Sequence, residues 1–214
     1  MDKEELIASM ISSGALKTKQ VIDAFEKVKR EEFCLPEYRK EAYEDRPLPI
    51  IAGQTISQPT TVAIMTGALD LKEGQKVLEI GAGSGYQAAI IAEVIGKQGK
   101  LYTIERIKEL ADFAKKNLMK EGYRNVKIIL GDGSLGLKSE APFDRIIVTA
   151  CSPKVPNSLK EQLKIGGKMV IPVGPEHHGQ DMLVLTKKSK DEFEEWNIGP
   201  FSFVPLIGKE GWKS

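Results

Sequence analysis

The stretch that most constrains this chain is Lys76-Val77-Leu78-Glu79-Ile80-Gly81-Ala82-Gly83-Ser84-Gly85-Tyr86, a short apolar run leading into three alternating glycines. Val77, Leu78 and Ile80 are too few and too β-rich for a core helix. Gly74 and Gly81 punctuate both ends, so the run predicts a buried parallel strand. Gln87 to Val94 follows with an almost wholly apolar surface, and Gly96 stands where a helix would need a left-handed cap. The glycines therefore occupy a β-to-α turn. In an open α/β sheet such turns lie outside the carboxyl ends of the strands, where ligands bind at the point of strand-order reversal. Lacking Cβ atoms, Gly81, Gly83 and Gly85 let a ligand touch the backbone.

Spacing decides which ligand. A dinucleotide fingerprint is G-x-G-x-x-G, with a pyrophosphate on the helix N-terminus. Here the register is G-x-G-x-G, and Tyr86 stands where that pattern wants its last glycine. A second short strand, Lys100 to Glu105, ends in a carboxylate that can accept from both hydroxyls of a ribose. That suits NAD or any other nucleoside. Glu79 separates them: it places a carboxylate where a diphosphate would be repelled and a cationic nucleoside would fit. An acidic residue followed by G-x-G-x-G resembles the first motif of the S-adenosylmethionine-dependent methyltransferases. The resemblance implies S-adenosyl-L-methionine as cofactor.

The remaining chain supports a doubly wound, mostly parallel α/β sheet of Rossmann-like type, with N-terminal helices and a C-terminal antiparallel edge. A helix is expected over residues 2–13 and another from Thr18 as N-cap through Val28. The charged run Lys27 to Glu32 reads as a solvated face. Pro36, Pro47 and Pro49 make Phe33 to Ile51 an ordered connecting arm. A further helix starts near Pro59, with Ser57 or Gln58 close to its cap and free N–H groups that could hold an anion. An amphipathic helix from Ile107 to Leu118 precedes another buried strand, Val126 to Leu130, that runs into Gly131-Asp132-Gly133. Asp132 falls beside the expected adenine position, where a carboxylate can accept from the exocyclic amine. Phe143 to Cys151 and Lys168 to Val173, after a Gly166-Gly167 turn, complete the parallel strands. Asp181 to Lys188 and Glu192 to Ile198 read as an antiparallel hairpin, Phe201 to Ile207 as a possible second one, and Trp196 and Trp212 as packing residues.

At 214 residues one domain over 1–214 is expected, divided into an N-terminal helical arm (1–52), a cofactor-binding α/β core (53–174) and an antiparallel extension (175–214). Lys plus Arg is 31 against 30 acids, a net +1 that advertises no polyanionic partner, so no nucleic acid is expected. Cys34 and Cys151 lack metal-ligand or C-x-x-C spacing and read as reduced thiols, and no membrane-length stretch or signal core occurs. A cytoplasmic protein without membrane contacts follows as the expectation, with a monomer the expected but undetermined oligomeric state. His177-His178 reads as a surface loop, with no third ligand for zinc and no triad.

The acceptor is named by resemblance alone. Gly53-Gln54-Thr55-Ile56-Ser57-Gln58-Pro59 resembles the corresponding segment of the protein-L-isoaspartate O-methyltransferases. Glu79 to Gly85, Gly131-Asp132-Gly133, Pro142-Phe143-Asp144, Leu163 to Gly167, Ile171 to Gly174 and Phe203 to Leu206 match in family order, spanning about residues 20 to 207. The resemblance implies methyl esterification of the α-carboxylate of L-isoaspartyl residues in damaged proteins and peptides, starting their repair through a succinimide. It puts Ser57 at the family's active-site serine. Gln54, Thr55, Ile56, Glu79, Gly81, Gly83, Gly85, Glu105, Asp132 and Gly133 take the cofactor-contacting positions, with no metal. Position alone leaves Ser57 equally suited to capping the next helix.

Overall fold

The computed structural model describes residues 1–176 and 179–213, so the His177-His178 loop lies outside the described residues. Helix α1 (Lys3–Ser12) begins at Asp2, whose carboxylate accepts the Glu5 N–H while Glu5 accepts the Asp2 N–H, a reciprocal cap. Helix α2 (Lys19–Lys27) follows Thr18, which holds the N-cap position without a side-chain capping bond. Their apolar faces bury Leu6, Ile7 and Met10, then Val21, Ala24 and Phe25. The run Lys27 to Glu32 departs from the expected solvated face, because Arg30 within it is fully buried.

The proline-rich arm holds only short 3-10 turns, Arg30–Phe33, Pro36–Glu41 and Ile51–Gly53. Strands β1 (Leu48–Pro49) and β2 (Thr55–Ile56) then pair antiparallel as a small hairpin, tipped by Ala52 and Gly53 with positive φ. Helix α3 (Pro59–Leu69) starts directly after it with Pro59 in its first turn.

The main sheet takes shape from β3 (Lys76–Ile80), α4 (Tyr86–Ile95), β4 (Lys100–Glu105), α5 (Lys108–Lys120) and β5 (Val126–Leu130). It continues with β6 (Phe143–Val148), α6 (Asn157–Gln162), β7 (Leu163–Val173), β8 (Gln180–Lys187) and β9 (Phe193–Phe201). The order is β5-β4-β3-β6-β7-β8-β9. β5 through β7 run parallel, and β8 and β9 add the antiparallel edge. Helices cover both faces, which is why the inner strands are continuously apolar rather than alternating. Val77, Leu101, Ile147 and Val170 meet one helical layer, and Leu78, Ile80, Ile146 and Val148 the other. Each such fully buried side chain contributes about 2 kcal/mol of transfer free energy. Strand order reverses between β3 and β6, so the alternating-glycine turn sits at the switch point.

Four details depart from the sequence reading. Helix α6 was not anticipated, since six residues are too few for a periodic signature. β7 begins at Leu163, and Gly166-Gly167 lie within an irregularity where its register against β6 shifts between Phe143 and Arg145. Phe201 to Ile207 forms no hairpin; Pro205 instead makes a parallel bridge to Cys151. Trp196 is not a packing residue but stands 69% exposed on β9. No helix among the described residues is long and apolar enough to cross a membrane.

Candidate active site

The carboxyl ends of β3, β4 and β6 open on a cavity of about 240 Å³. Gly81, Gly83, Glu105 and Gly133 line it from the sheet side, and Gln54, Thr55, Ile56 and Ser57 line it from the β1–β2 hairpin. These eight come from four separate stretches of sequence. Glu79, Gly85 and Asp132 do not line it, and each has a different local task.

Gly81 has φ +96°, and a Cβ there would overlap the Thr149 hydroxyl. That hydroxyl lies 2.9 Å from both the Ile80 and Gly81 carbonyl oxygens, to which it can donate, while the Thr149 N–H bonds the Ile80 carbonyl. The ends of β3 and β6 are thus locked together at the switch point. Gly85 caps α4 with φ +89°, and a side chain there would press on Leu118 of α5. Asp132 turns away from the cavity. One carboxylate oxygen accepts the Ser134 N–H and hydroxyl at 2.9 and 2.7 Å, and the other accepts the Lys209 N–H at 2.8 Å. Burial works against its ionisation, but these donors together hold the carboxyl below its ordinary range.

Glu105 is buried, and its two oxygens accept the Gly83 N–H at 3.2 Å and the Ile107 N–H at 3.0 Å. One carboxylate therefore shapes the glycine turn and the entry to α5, and its remaining lone pairs face the cavity it lines. Glu79 is fully buried, two residues before Gly81, and neither of its carboxylate oxygens has a hydrogen-bond partner. Burial pushes its carboxyl up to about 8; the facing Thr103 hydroxyl on β4 tempers the rise and Glu105 adds to it. The Thr103 hydroxyl itself reaches no hydrogen-bond geometry, so the pair stays unsatisfied.

On the opposite wall, Ser57 is half-buried and its carbonyl accepts from Arg30 Nη1 at 2.8 Å. The N-cap of α3 is Gln58, which makes no side-chain capping bond. Asp45 from the arm takes that place, accepting the Thr60 N–H at 2.9 Å and the Thr60 hydroxyl at 2.7 Å. The anion position at this helix end is thus filled by the chain's own carboxylate, and the capping alternative for Ser57 falls away.

Sequence reasoning missed part of the lining. Thr149 could have been found, because it follows β6 as Gly81 follows β3 and the two strands pair Ile80 with Val148. Val204 to Ile207 also lines the cavity, held by the Cys151 N–H on the Val204 carbonyl at 2.8 Å and the Leu206 N–H on the Cys151 carbonyl at 2.7 Å. No local pattern signals that long-range bridge. Among the described residues no group of three His, Cys, Asp or Glu side chains could hold a metal.

Comparison with known proteins gives one consistent answer. A family model described as protein-L-isoaspartate(D-aspartate) O-methyltransferase matches residues 1–211. A protein-L-isoaspartate O-methyltransferase of Methanopyrus kandleri is 52% identical over 212 residues, covering 99% of this chain and 93% of that protein. A solved protein-L-isoaspartate O-methyltransferase structure superposes with a TM-score of 0.88 at 29% identity, over 98% of this chain and 67% of that one. A Plasmodium falciparum structure described as a β-aspartate methyltransferase, solved with S-adenosyl-L-homocysteine, shares the fold with a TM-score of 0.84 at 24% identity, covering 97% and 99%.

Proposed function

Since the chain belongs to the protein-L-isoaspartate(D-aspartate) O-methyltransferase family, we propose a division of labour among its residues for that family's reaction. The enzyme uses S-adenosylmethionine to esterify the α-carboxylate of L-isoaspartyl residues in proteins and peptides, which begins their repair.

The residues present fit the cofactor. Glu105 offers spare carboxylate lone pairs for a ribose diol, the Gly81–Gly83 backbone admits close approach, and Ile104, Ile107 and Leu110 give an apolar wall. Glu79 is a buried, unpartnered carboxylate whose ionised form a cationic ligand would stabilise. Gln54, Thr55, Ile56 and Gly133 border the same space. Gly85 and Asp132 contribute indirectly, through the α4 cap and the turn that carries Gly133. When bound, the cofactor supplies an electrophilic methyl group on a sulfonium centre.

An α-carboxyl has a reference pKa of about 3.5, so the acceptor is ionised at neutral pH and no general base is needed. Ser57 is therefore not a nucleophile. Its hydroxyl donates a hydrogen bond that aims one carboxylate oxygen across the cavity, and Val204 to Ile207 helps exclude water. In this reading residues 1–214 act as a single domain and a monomer, in the cytoplasm, with neither nucleic acid nor membrane; the balanced charge supports the absence of a nucleic-acid partner.

One observation carries the assignment: Ser57 lines the same cavity as Glu105 and the glycine turn while doing no capping work. Radiolabelled methyl transfer to matched peptides carrying isoaspartyl or normal aspartyl tests the reaction, with label expected on the former only and lost in mild base. Ser57→Ala is expected to lower kcat about 100-fold, the cost of misplacing a reactant by roughly an ångström, with cofactor affinity within about threefold. Equal losses in both would contradict the positioning role.

A further inference from the structure

Arg30 is the one charged side chain in the wall behind Ser57 with no exposure at all. It forms no ion pair among the described residues, and its guanidinium is satisfied by main-chain oxygen. Nε donates to the Ala42 carbonyl at 2.7 Å, Nη1 to the Ser57 carbonyl at 2.8 Å and Nη2 to the Arg46 carbonyl at 3.3 Å. Its Cζ lies 5.2 Å from the ring centroid of Tyr86, the first residue of α4 after the glycine turn. Tyr86 is wedged in turn against Phe25 and Phe33, with centroids 6.3 and 5.8 Å away. A planar fork with five donors suits this job, whereas an ammonium cannot span three carbonyls at fixed angles.

The contacts join two sides of the cavity. Ser57 belongs to the acceptor wall, and Tyr86 opens the helix of the donor wall. From outside, Asp45 ties the same 42–46 segment to the start of α3 through Thr60 and through Gln58 Nε2 at 3.1 Å. Arg30 thus holds the Ser57 carbonyl while Asp45 of the 42–46 loop holds the chain just after it, and that loop is anchored through Arg30, which packs on the first residue of the glycine-turn helix.

We propose that Arg30 is a positioning residue for methyl transfer: it sets the distance between the Ser57 hydroxyl and the donor site, with Asp45 as an outer latch on the same loop. The inference rests on the role given to Ser57 above. A purely structural buried arginine would lower stability and leave the chemistry of the folded enzyme unchanged. A positioning arginine loses kcat through Ser57 and nowhere else.

The test is a double-mutant cycle. Arg30→Lys and Arg30→Met are made alone and with Ser57→Ala, and kcat and KM on an isoaspartyl peptide, calorimetric affinity for S-adenosylhomocysteine and melting temperature are measured. Each Arg30 variant is expected to lose about tenfold or more in kcat, with S-adenosylhomocysteine Kd within about threefold. Added to Ser57→Ala, it is expected to cost less than about twofold further, because the group it positions is gone. A folded Arg30 variant with wild-type kcat, or losses that multiply in the double mutant, would overturn the proposal. Unchanged kcat in Ser57→Ala alone would bring down the reading of Ser57 itself, and the single mutant reports that separately. If neither Arg30 variant is folded at the assay temperature, the exposed Asp45→Asn decides. A kcat loss of about threefold or more at unchanged S-adenosylhomocysteine affinity sustains the latch, and unchanged kcat refutes it.

Discussion

The donor and acceptor walls of the cavity are built by different physics. On the donor side, Gly81, Gly83 and Glu105 sit at the ends of β3 and β4, strands buried on both faces and held by paired registers over five residues. Hydrophobic burial holds those positions, and the ligand groups ride on it. The acceptor side is a hairpin of two-residue strands, too small to be stable alone. Leu48, Ile50 and Ile56 tuck it into the N-terminal core, but Ser57 just beyond β2 is held by polar tethers. Arg30 grips its carbonyl and, through the Ala42 and Arg46 carbonyls, the 42–46 loop, whose Asp45 bonds Gln58 and Thr60. A wall built from a core couples binding to stability, whereas a tethered wall couples geometry to rate. Donor-side substitutions should therefore move affinity, melting temperature or both. Substitutions at Ser57 or at its tethers should move kcat with little change in cofactor affinity.

The largest effect is expected at Glu79. The folded protein without cofactor holds this proton up to about pH 8, whereas an unfolded chain releases it near 4.5. The sign follows from linkage: between those values the native state binds more protons than the unfolded state, so stability falls as pH rises. Glu79's contribution is full below about 4.5 and is lost as pH climbs through about 8, a change of several kcal/mol for a group so deeply buried. Glu79→Gln should flatten that dependence, and melting curves of both proteins from pH 5 to pH 8 without ligand would check it. Parallel curves would mean that Glu79 is ionised throughout and has a partner.

Glu105→Ala comes next. It removes the acceptor of the Gly83 and Ile107 N–H groups together with the carboxylate facing the cavity. Calorimetry with S-adenosylmethionine should report about tenfold weaker binding, roughly 1.4 kcal/mol, in a protein that still folds. Unchanged affinity would take Glu105 out of the site and blur the contrast between the two walls.

The same contrast explains what the sequence could reveal. Lys76–Ile80 and Lys100–Glu105 run as buried strands over the expected residues, because short apolar runs encode a doubly buried strand locally. Val126–Leu130 is also a strand over the expected residues, but as the sheet's edge it is only partly buried, with Leu130 exposed. The glycine turn was legible for the same reason, since its spacing is a local property. The tethers were not. Arg30 sits in a run that looks fully solvated, and its burial depends on carbonyls 12, 16 and 27 residues away. Asp45 caps a helix that starts 14 residues later in the chain, where capping rules look one to three residues ahead. Ser57 was therefore reached through family resemblance, while a reading of its position could not separate a cap from a site. Trp196 failed differently. An aromatic residue in an alternating strand predicts packing on one face, but nothing covers the outer side of β9 among the described residues.

The smallest effect expected is also the one that isolates what holds the acceptor wall. Ala52 at the hairpin tip is exposed and has φ +56°, a left-handed conformation that costs an L-residue with a Cβ about 1 kcal/mol or more. Glycine there removes the strain but loses more freedom on folding, about 0.5–1 kcal/mol. Ala52→Gly should therefore stabilise by only about 0.5 kcal/mol, raising the melting temperature by roughly 1–2 °C in a domain of this size. The tip lies between β1 and β2, and Ser57 follows β2 where Arg30 and Asp45 grip the chain, so relaxing the tip should leave kcat within about twofold. A stabilised Ala52→Gly protein with kcat down tenfold would show that hairpin strain, and not the Arg30 and Asp45 tethers, places the Ser57 hydroxyl. The acceptor wall would then work as a spring tensioned at its tip, and the double-mutant cycle at Arg30 would be expected to show independent losses instead of a shared one.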